Sequence, residues 1–144
     1  MRITDLEPGD PRLAADLLYV LRELRPHLTA ELLDEVYGEG HVQGLRFTAA
    51  YAEDGACLGV AGWRVVVNTS ALRKLYVDDL VTATEARSSG VGRELLAHLE
   101  GRARELACHR VELDSGTQRS DAHRFYFRER MHVSGYHFTK PVHA

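Results

Sequence analysis

The chain has 144 residues, 44% of them hydrophobic, and a formal net charge of −3. This size and composition indicate one globular domain with its own core. Its 18 basic and 21 acidic residues exclude the strongly basic character of many nucleic-acid-binding proteins.

Other features of the composition limit the protein class further. No apolar run reaches the roughly 20 residues of a membrane span, and the N-terminus lacks the apolar segment of a secretory signal. Cys57 and Cys108 have no metal-ligand spacing, which favours a reducing, cytoplasmic setting over a disulfide scaffold. We therefore expect a single cytoplasmic domain over residues 1–144, with no metal, no nucleic acid and no membrane among its partners.

The chain up to residue 44 predicts a short strand followed by two helices. Asp10 is typical of a helix N-cap, and Pro11 fits the first turn, where its missing N–H costs no hydrogen bond. Leucine and valine residues at helical spacing indicate one buried face until Pro26 ends the helix. The predicted bounds are a strand at 1–6, helices at 11–25 and 29–37, and a loop at 38–44.

From Leu45 onwards, alternating apolar residues predict strands, the first two joined by a tight turn at residues 53–55. A long amphipathic helix, a strand, a short helix capped by Ser120 and a last strand follow. The predicted strands are 45–51, 58–67, 74–82, 110–114 and 134–139, and the helices are 91–106 and 120–130. The order β-α-α-β-β-β-α-β-α-β predicts an α/β protein with a mixed sheet and helices on both faces.

The segment from Asp79 to Gly92 indicates a binding site. A strand ends there, and a turn with the pattern R-x-x-G-x-G opens the long helix. The first N–H groups of a helix carry partial positive charge and lack intrahelical partners, and phosphate oxygens satisfy both. Gly90 and Gly92 let a phosphate approach the backbone, and Arg87 adds a cation. The pattern predicts a pyrophosphate site distinct from the Walker and dinucleotide motifs, with a plain helix start as the alternative.

A second informative segment, RSDAHRFY, runs from Arg119 to Tyr126. Together the two segments resemble the acetyl-CoA motif and the N-x-x-A-x-x-F-Y helix of the GNAT superfamily of N-acetyltransferases, whose strand order matches nearly the whole chain. Residues 112–126 and 136–140 are similar to aminoalkylphosphonate N-acetyltransferases. The resemblance implies the splayed, mostly antiparallel GNAT sheet and acetyl-CoA as cosubstrate.

The resemblance also implies which residues bind the cosubstrate. The pyrophosphate lies on the turn at residues 87–92, and the pantetheine arm pairs like an extra strand with the end of the preceding strand. The implied cosubstrate-binding residues are Leu80, Val81, Thr82, Arg87, Ser88, Ser89, Gly90, Val91, Gly92 and Arg119.

Acetyl transfer to an amine requires a proton acceptor, an oxyanion donor and an acid for the leaving thiolate. Asp79 is the first candidate to take the amine proton through water. Asp78 points to the opposite face of a regular strand, but a bulge would exchange the two. Tyr126, with a usual pKa of about 10, is the candidate acid, and the Val81 N–H is the candidate oxyanion donor. The alternatives are solvated carboxylates for the aspartates and core packing for Tyr126.

Three positions depart from the superfamily pattern. Arg119 stands where Asn is common and would replace an amide contact to pantetheine. Thr84 stands where Pro is common, and we expect no effect. Arg130-Met131 replaces the usual Gly-Phe, and because Arg adopts positive φ poorly, we expect a different chain turn there.

The function predicted from these residues is acetyl-CoA-dependent N-acetylation of a small primary amine by direct attack in a ternary complex. A peptide or protein N-terminus is the alternative acceptor. A non-catalytic CoA-binding module is a second alternative, which Arg130-Met131 favours slightly and Tyr126 opposes. A structural domain without CoA affinity is the third. The resemblance also implies a homodimer.

Overall fold

The computed structural model describes residues 1–143. The chain forms two compact units, Met1–Leu113 and the part from Asp114 onward. In chain order the elements are β1 (Arg2–Leu6), a π-helical segment (Leu13–Leu17), α1 (Leu18–Leu21), α2 (Ala30–Val42), β2 (Arg46–Tyr51), β3 (Cys57–Val66), β4 (Lys74–Thr82), a 3₁₀ turn (Thr84–Ala86), α3 (Val91–Glu105), β5 (Arg110–Leu113) and α4 (Ser120–Arg128).

The first unit contains a five-stranded sheet in the order β1-β2-β3-β4-β5. All neighbouring strands are antiparallel except β4 and β5, which are parallel. This confirms the predicted mixed, mostly antiparallel sheet. The β4–β5 pairing runs only from Lys74 to Val77 of β4, whereas β3 pairs with β4 as far as Thr82. The sheet therefore opens beyond Val77, as the resemblance implies.

Helices cover both faces of this sheet. Alternate residues of β3 point to opposite faces, and Gly59 faces α3, where a Cβ would lie 2.7 Å from Val91 and 3.0 Å from Leu95. The absence of a side chain at Gly59 therefore lets α3 approach the sheet closely. On the other face, Phe47 packs edge-on against Tyr37 of α2, with ring centroids 4.8 Å apart.

The second helix is longer than its sequence predicts. It continues to Val42, so the predicted loop at 38–44 is wrong over most of its length. Thr29 caps the start by accepting a hydrogen bond from the Leu32 N–H at 3.1 Å. Buried Tyr37 donates to the Leu6 carbonyl at 2.6 Å and holds the helix against the sheet. These contacts outweigh the cost of about 1 kcal/mol that each interior glycine imposes on a helix.

The second unit contains α4 and the C-terminal segment. Ser120 is the first residue of α4 and not its cap, because Arg119 occupies the N-cap position. The predicted strand at 134–139 is wrong, since residues 131–140 have neither helical nor strand structure. Tyr136 and Phe138 are 88% and 90% exposed. Their alternating pattern suits a strand, but a strand forms only where a neighbour satisfies its backbone groups, and the described part of this unit has none.

The turn after α4 also differs from expectation. Arg130 has φ +66°, so the expectation that arginine would avoid the left-handed conformation is wrong. The Met131 N–H donates to the Tyr126 carbonyl and the Arg130 N–H to the Phe127 carbonyl, both at 3.0 Å. This is the hydrogen-bond pattern of a Schellman motif, which usually places glycine at the left-handed position. The paired carbonyls hold Arg130 in a conformation that costs an L-residue about 1–2 kcal/mol.

Candidate active site

Two adjacent carboxylates lie at an irregularity in the centre of β4. Gly62 of β3 pairs with Asp79, and Trp63 pairs with Val77, so Asp78 is the extra residue of a β-bulge. Of the two geometries considered for this strand, regular or bulged, β4 has the bulge. A Cβ on Gly62 would lie 2.7 Å from Asp79 Oδ2. The Asp79 carboxylate thus occupies the space over Gly62, which a larger residue would fill.

Asp79 is the more enclosed of the two carboxylates, with a side chain only 14% exposed. Arg25, in the turn after α1, donates from Nε to Asp79 Oδ1 at 2.8 Å and from Nη2 to the Asp78 carbonyl at 3.0 Å. Burial raises the pKa of Asp79 above that of an ordinary carboxyl group, and Arg25 offsets only part of the rise. A raised carboxyl pKa suits a group that exchanges protons near neutral pH.

Asp78 has a different partner. Arg64 of β3 donates from Nε to both Asp78 oxygens, at 3.0 and 3.2 Å, and lies over the Tyr76 ring at 5.2 Å from its centre. The Arg64 side chain is 44% exposed and that of Asp78 is 27% exposed. The bulge therefore gives the two aspartates separate guanidinium partners and leaves Asp79 the better shielded from water.

Sequence reasoning did not find Arg25. Arg25 and Asp79 are separated by 54 positions, and an arginine near the end of a helix is typical of a solvated surface. Trp63 of β3 is 3% exposed and donates to the Thr48 hydroxyl at 2.9 Å, so it packs in the core. The one available signal was the candidate base Asp79 itself, because a carboxylate shielded from water requires a cationic or hydrogen-bonding partner.

The turn before α3 presents backbone N–H groups to solvent. Gly90, at the helix N-cap, has φ +87° and Ser88 has φ +65°. The first helical hydrogen bond runs from the Glu94 N–H to the Gly90 carbonyl at 3.0 Å, and no side chain caps the helix start. A Cβ at Gly90 would meet no atom within 4 Å. Uncapped N–H groups beside open space fit a phosphate group.

The same turn carries a cationic side chain and a hydrogen bond within the turn. The Arg87 side chain is 62% exposed, and its Nη2 lies 3.8 Å from Glu23 Oε1. The Ser89 hydroxyl donates to the Ala86 carbonyl, while Gly92 is the second residue of α3. An exposed guanidinium beside uncapped N–H groups fits an anionic ligand such as pyrophosphate.

Residues 80–82 of β4 pair with β3 on one side only. Their β3 partners are Gly59, Val60 and Ala61, and the next residue, Ala83, donates to the Leu58 carbonyl at 2.8 Å. The opposite side lies beyond the end of the β4–β5 pairing. Backbone groups that point to this side can pair with an extended ligand in the manner of an added strand.

In the second unit, Tyr126 lies half-buried on α4 beside Phe125, with ring centroids 5.4 Å apart. Burial raises the pKa of Tyr126 above its usual value, and the charge and hydrogen bond of Arg119 lower it by less. The phenol is therefore protonated at neutral pH. Arg119, expected to contact pantetheine, lies near Tyr126 within this unit and acts to lower the pKa of its phenol.

Two further observations concern the described residues as a group. They contain no cluster of three or more His, Cys, Asp or Glu side chains that could hold a metal ion. Among residues 1–143, no helix has both the length and the apolar character needed to cross a membrane.

Comparisons with known proteins point to one family. A model of the acetyltransferase (GNAT) family matches residues 13–132. The uncharacterized N-acetyltransferase YhdJ of Bacillus subtilis (strain 168) is 44% identical over 69 residues, which cover 47% of this chain and 49% of that protein. The aminoalkylphosphonate N-acetyltransferase of Salmonella typhimurium is 39% identical over 66 residues, covering 46% and 43%.

The chain spans about half the length of the curated relatives it matches. Among solved structures, a Trypanosoma brucei acetyltransferase superimposes with a TM-score of 0.76 at 19% identity, covering 98% of this chain and 99% of that one. This likeness concerns the fold and extends over both compact units.

Proposed function

Because the chain belongs to the GNAT family of acetyltransferases, we propose that it transfers the acetyl group of acetyl-CoA to the primary amine of a small molecule. The observation that carries the proposal lies along one strand. A largely shielded carboxylate at Asp79, 14% exposed, lies on β4, and an uncapped helix start at Gly90 lies in the turn that follows it. The first suits proton transfer and the second suits pyrophosphate.

The cosubstrate, which supplies an activated acetyl thioester, is held by the backbone of two segments. The turn at residues 87–92 takes the pyrophosphate through N–H groups and Arg87. The pantetheine arm pairs with residues 80–82, on the side of β4 that β5 does not occupy. The family resemblance alone supports Arg119 as a further residue that contacts the cosubstrate.

Asp79 takes a proton from the incoming ammonium, directly or through one water. An alkylamine is mostly cationic at neutral pH, and only the neutral amine attacks a thioester. The raised pKa of Asp79 makes the carboxylate a stronger base than an exposed aspartate, while the Arg25 hydrogen bond fixes its orientation. These two properties support Asp79 over Asp78 as the general base.

The remaining roles fall to one backbone group and one side chain. The Val81 N–H stabilises the negative charge that develops on the carbonyl oxygen. The Tyr126 hydroxyl donates a proton to the departing thiolate. Because its pKa is raised above the usual value, the tyrosine is protonated at neutral pH and can donate.

The experiment that tests this proposal follows free thiol release from acetyl-CoA with a panel of acceptors. The panel contains aminoalkylphosphonates, which the Salmonella relative is named for, simple alkylamines, and short peptides with free N-termini. We expect saturable thiol release with a small amine and intersecting initial-velocity lines, as direct attack in a ternary complex requires. Turnover of peptides alone would support the second acceptor class. CoA binding without turnover of any acceptor would indicate a regulatory module.

Three wider properties belong to the same proposal. A single domain over residues 1–144 is supported by the family match at 13–132, which extends across both compact units. A cytoplasmic location is supported by Cys57 and Cys108, which are free thiols. A homodimer is proposed from the family resemblance, and light scattering that gives a monomer mass over a wide concentration range would disprove it.

A further inference from the structure

The connection between β4 and α3 is bonded to a carboxylate from a distant part of the chain. Glu23, in the turn after α1, accepts a hydrogen bond from the Thr84 N–H, with Thr84 N 3.1 Å from Oε1 and 3.3 Å from Oε2. The Thr84 hydroxyl also donates to Oε1. The two residues are 61 positions apart, and the Glu23 side chain is 27% exposed. Glu23 therefore binds Thr84 through both of its donors.

Thr84 occupies a position whose backbone geometry suits proline. It is the first residue of the 3₁₀ turn, and Ala83 before it has φ −54° and ψ +141°. The ψ of Ala83 lies in the extended range that proline requires of the residue before it. Proline at the start of a helical turn fixes φ and needs no acceptor for an N–H. Threonine leaves φ free and the N–H to be satisfied, and Glu23 supplies the acceptor.

Thr84 is connected by a series of hydrogen bonds to the turn at residues 87–92, which is proposed to bind pyrophosphate and is called the pyrophosphate turn below. The Ala86 N–H donates to the Ala83 carbonyl at 2.9 Å, and the Arg87 N–H donates to the Thr84 carbonyl at 3.3 Å. The Ser89 hydroxyl then donates to the Ala86 carbonyl. Fixing Thr84 therefore restricts the conformations open to residues 86–89.

We propose that Glu23 is a positioning residue for the cosubstrate, which holds the pyrophosphate turn in place through Thr84 and does by hydrogen bonding what a proline ring would do covalently. Without Glu23, the turn becomes ordered only when the ligand binds, and that ordering weakens the affinity. The inference rests on the proposed binding of CoA at residues 87–92.

Electrostatics alone predicts the opposite sign. Glu23 lies 3.8 Å from Arg87, so its negative charge opposes the approach of phosphate and partly neutralises the cation. Removing that charge would strengthen CoA binding if Glu23 had no positioning role. The direction of the change in affinity therefore separates the two explanations.

The experiment measures the Kd of CoA by calorimetry, with no acetyl transfer, for the wild type, Glu23→Ala, Glu23→Gln, Thr84→Pro and Glu23→Ala/Thr84→Pro. We expect Glu23→Ala to weaken binding by about tenfold, the cost of ordering roughly one residue. Glu23→Gln keeps an oxygen for the Thr84 N–H and removes the opposing charge, so it should bind at least as tightly as the wild type does. Thr84→Pro should bind nearly as the wild type does, and adding Glu23→Ala to it should cause no weakening.

Glu85→Ala is the matched control, because it removes a carboxylate that lies in the 3₁₀ turn itself and should not weaken binding. Two results would overturn the proposal: unchanged or tighter CoA binding by Glu23→Ala, or the same weakening of Glu23→Ala in the Thr84→Pro background. Failure of the wild type to bind CoA would instead overturn the proposed function together with this inference.

Discussion

The candidate site in the first unit has two parts, one formed by backbone groups and the other by side chains. The turn at residues 87–92, proposed to bind pyrophosphate, is made of backbone: left-handed residues at Ser88 and Gly90 and uncapped N–H groups at the start of α3. The pair of carboxylates on β4, Asp78 and Asp79, is made of side chains, and Arg25 contacts Asp79 from 54 positions away in the sequence. A backbone site is encoded in a few consecutive residues. A side-chain site exists only once distant segments have packed together.

The largest expected effect falls on the side-chain part. Asp79→Asn keeps the shape of the side chain and removes its capacity to accept a proton, so kcat/KM should fall by about 10³-fold, within the range of general base catalysis. The Kd of CoA should not change. The matched control is Asp78→Asn, whose carboxylate is bonded to Arg64, and its effect should be much smaller. Equal losses in the two variants would contradict the assignment.

The pH profile sharpens this prediction. Because the pKa of Asp79 is raised, the carboxylate that accepts the proton is lost as pH falls through a pKa higher than usual for an aspartate. The acid limb of kcat/KM should therefore lie at higher pH than for an exposed carboxyl. Arg25→Gln removes a group that lowers this pKa and should move the limb to still higher pH. Arg64→Gln, which releases Asp78, should leave the limb in place.

The side-chain role proposed in the second unit gives a somewhat smaller effect. Tyr126→Phe retains the ring and loses only the hydroxyl, so packing on α4 changes little. If the hydroxyl protonates the thiolate, kcat should fall by about 10²-fold at saturating amine, with acetyl-CoA affinity nearly unchanged. A kcat close to that of the wild type would show that Tyr126 serves in packing and that water supplies the proton.

The backbone part is tested by closing the space at Gly90. Gly90→Val should abolish the thermal stabilisation by acetyl-CoA, which for the wild type is about 2.7 kcal/mol at a hundredfold excess over Kd. Gly9→Val is the matched control, because Gly9 has φ +88°, nearly the same as Gly90, and equally open surroundings. The control should lose a similar amount of stability without ligand but retain the shift. A retained shift in Gly90→Val would exclude the pyrophosphate assignment.

The smallest effect concerns backbone strain in the second unit. Arg130→Gly relieves the left-handed conformation at the end of α4 and should raise the free energy of unfolding by about 1 kcal/mol. Urea denaturation measures the change, and exchange of the Met131 amide hydrogen reports it locally. A destabilised variant would mean that the Arg130 side chain contributes more than its strained backbone costs.

The sequence predicted the local features of the fold better than the distant ones. β4 has the predicted bounds, Lys74–Thr82, because its alternating pattern is set by the two faces of the sheet. The length of the second helix was underestimated, because the hydrogen bond from Tyr37 to the Leu6 carbonyl is a tertiary contact that the local sequence does not show. Val67, predicted as the last residue of a strand, lies beyond the end of β3 and is 70% exposed. Its apolar character gave no indication of where the strand ends.

The same division applies to the candidate site. The helix start after the R-x-x-G-x-G pattern was predictable because glycine is common at the N-cap of a helix. The Asp78 bulge was open, since a register shift depends on both strands of a pair. Arg25 and Glu23 were beyond reach of the sequence pattern because their partners, Asp79 and Thr84, lie in other elements.

Gly59 has a consequence for how the chain can vary. The space that its missing side chain leaves is taken by Val91, the first residue of α3, and a Cβ there would lie 2.7 Å from the Val91 methyl carbon. The distance between the start of α3 and the sheet is therefore set by Gly59 of β3, although the chain enters α3 from β4. Alanine at position 59 would require Val91 to shift or to be replaced by a smaller residue, and Leu95, 3.0 Å away, to give way as well. The two positions should therefore change together, and paired substitutions there would tune cosubstrate affinity without altering a single charge.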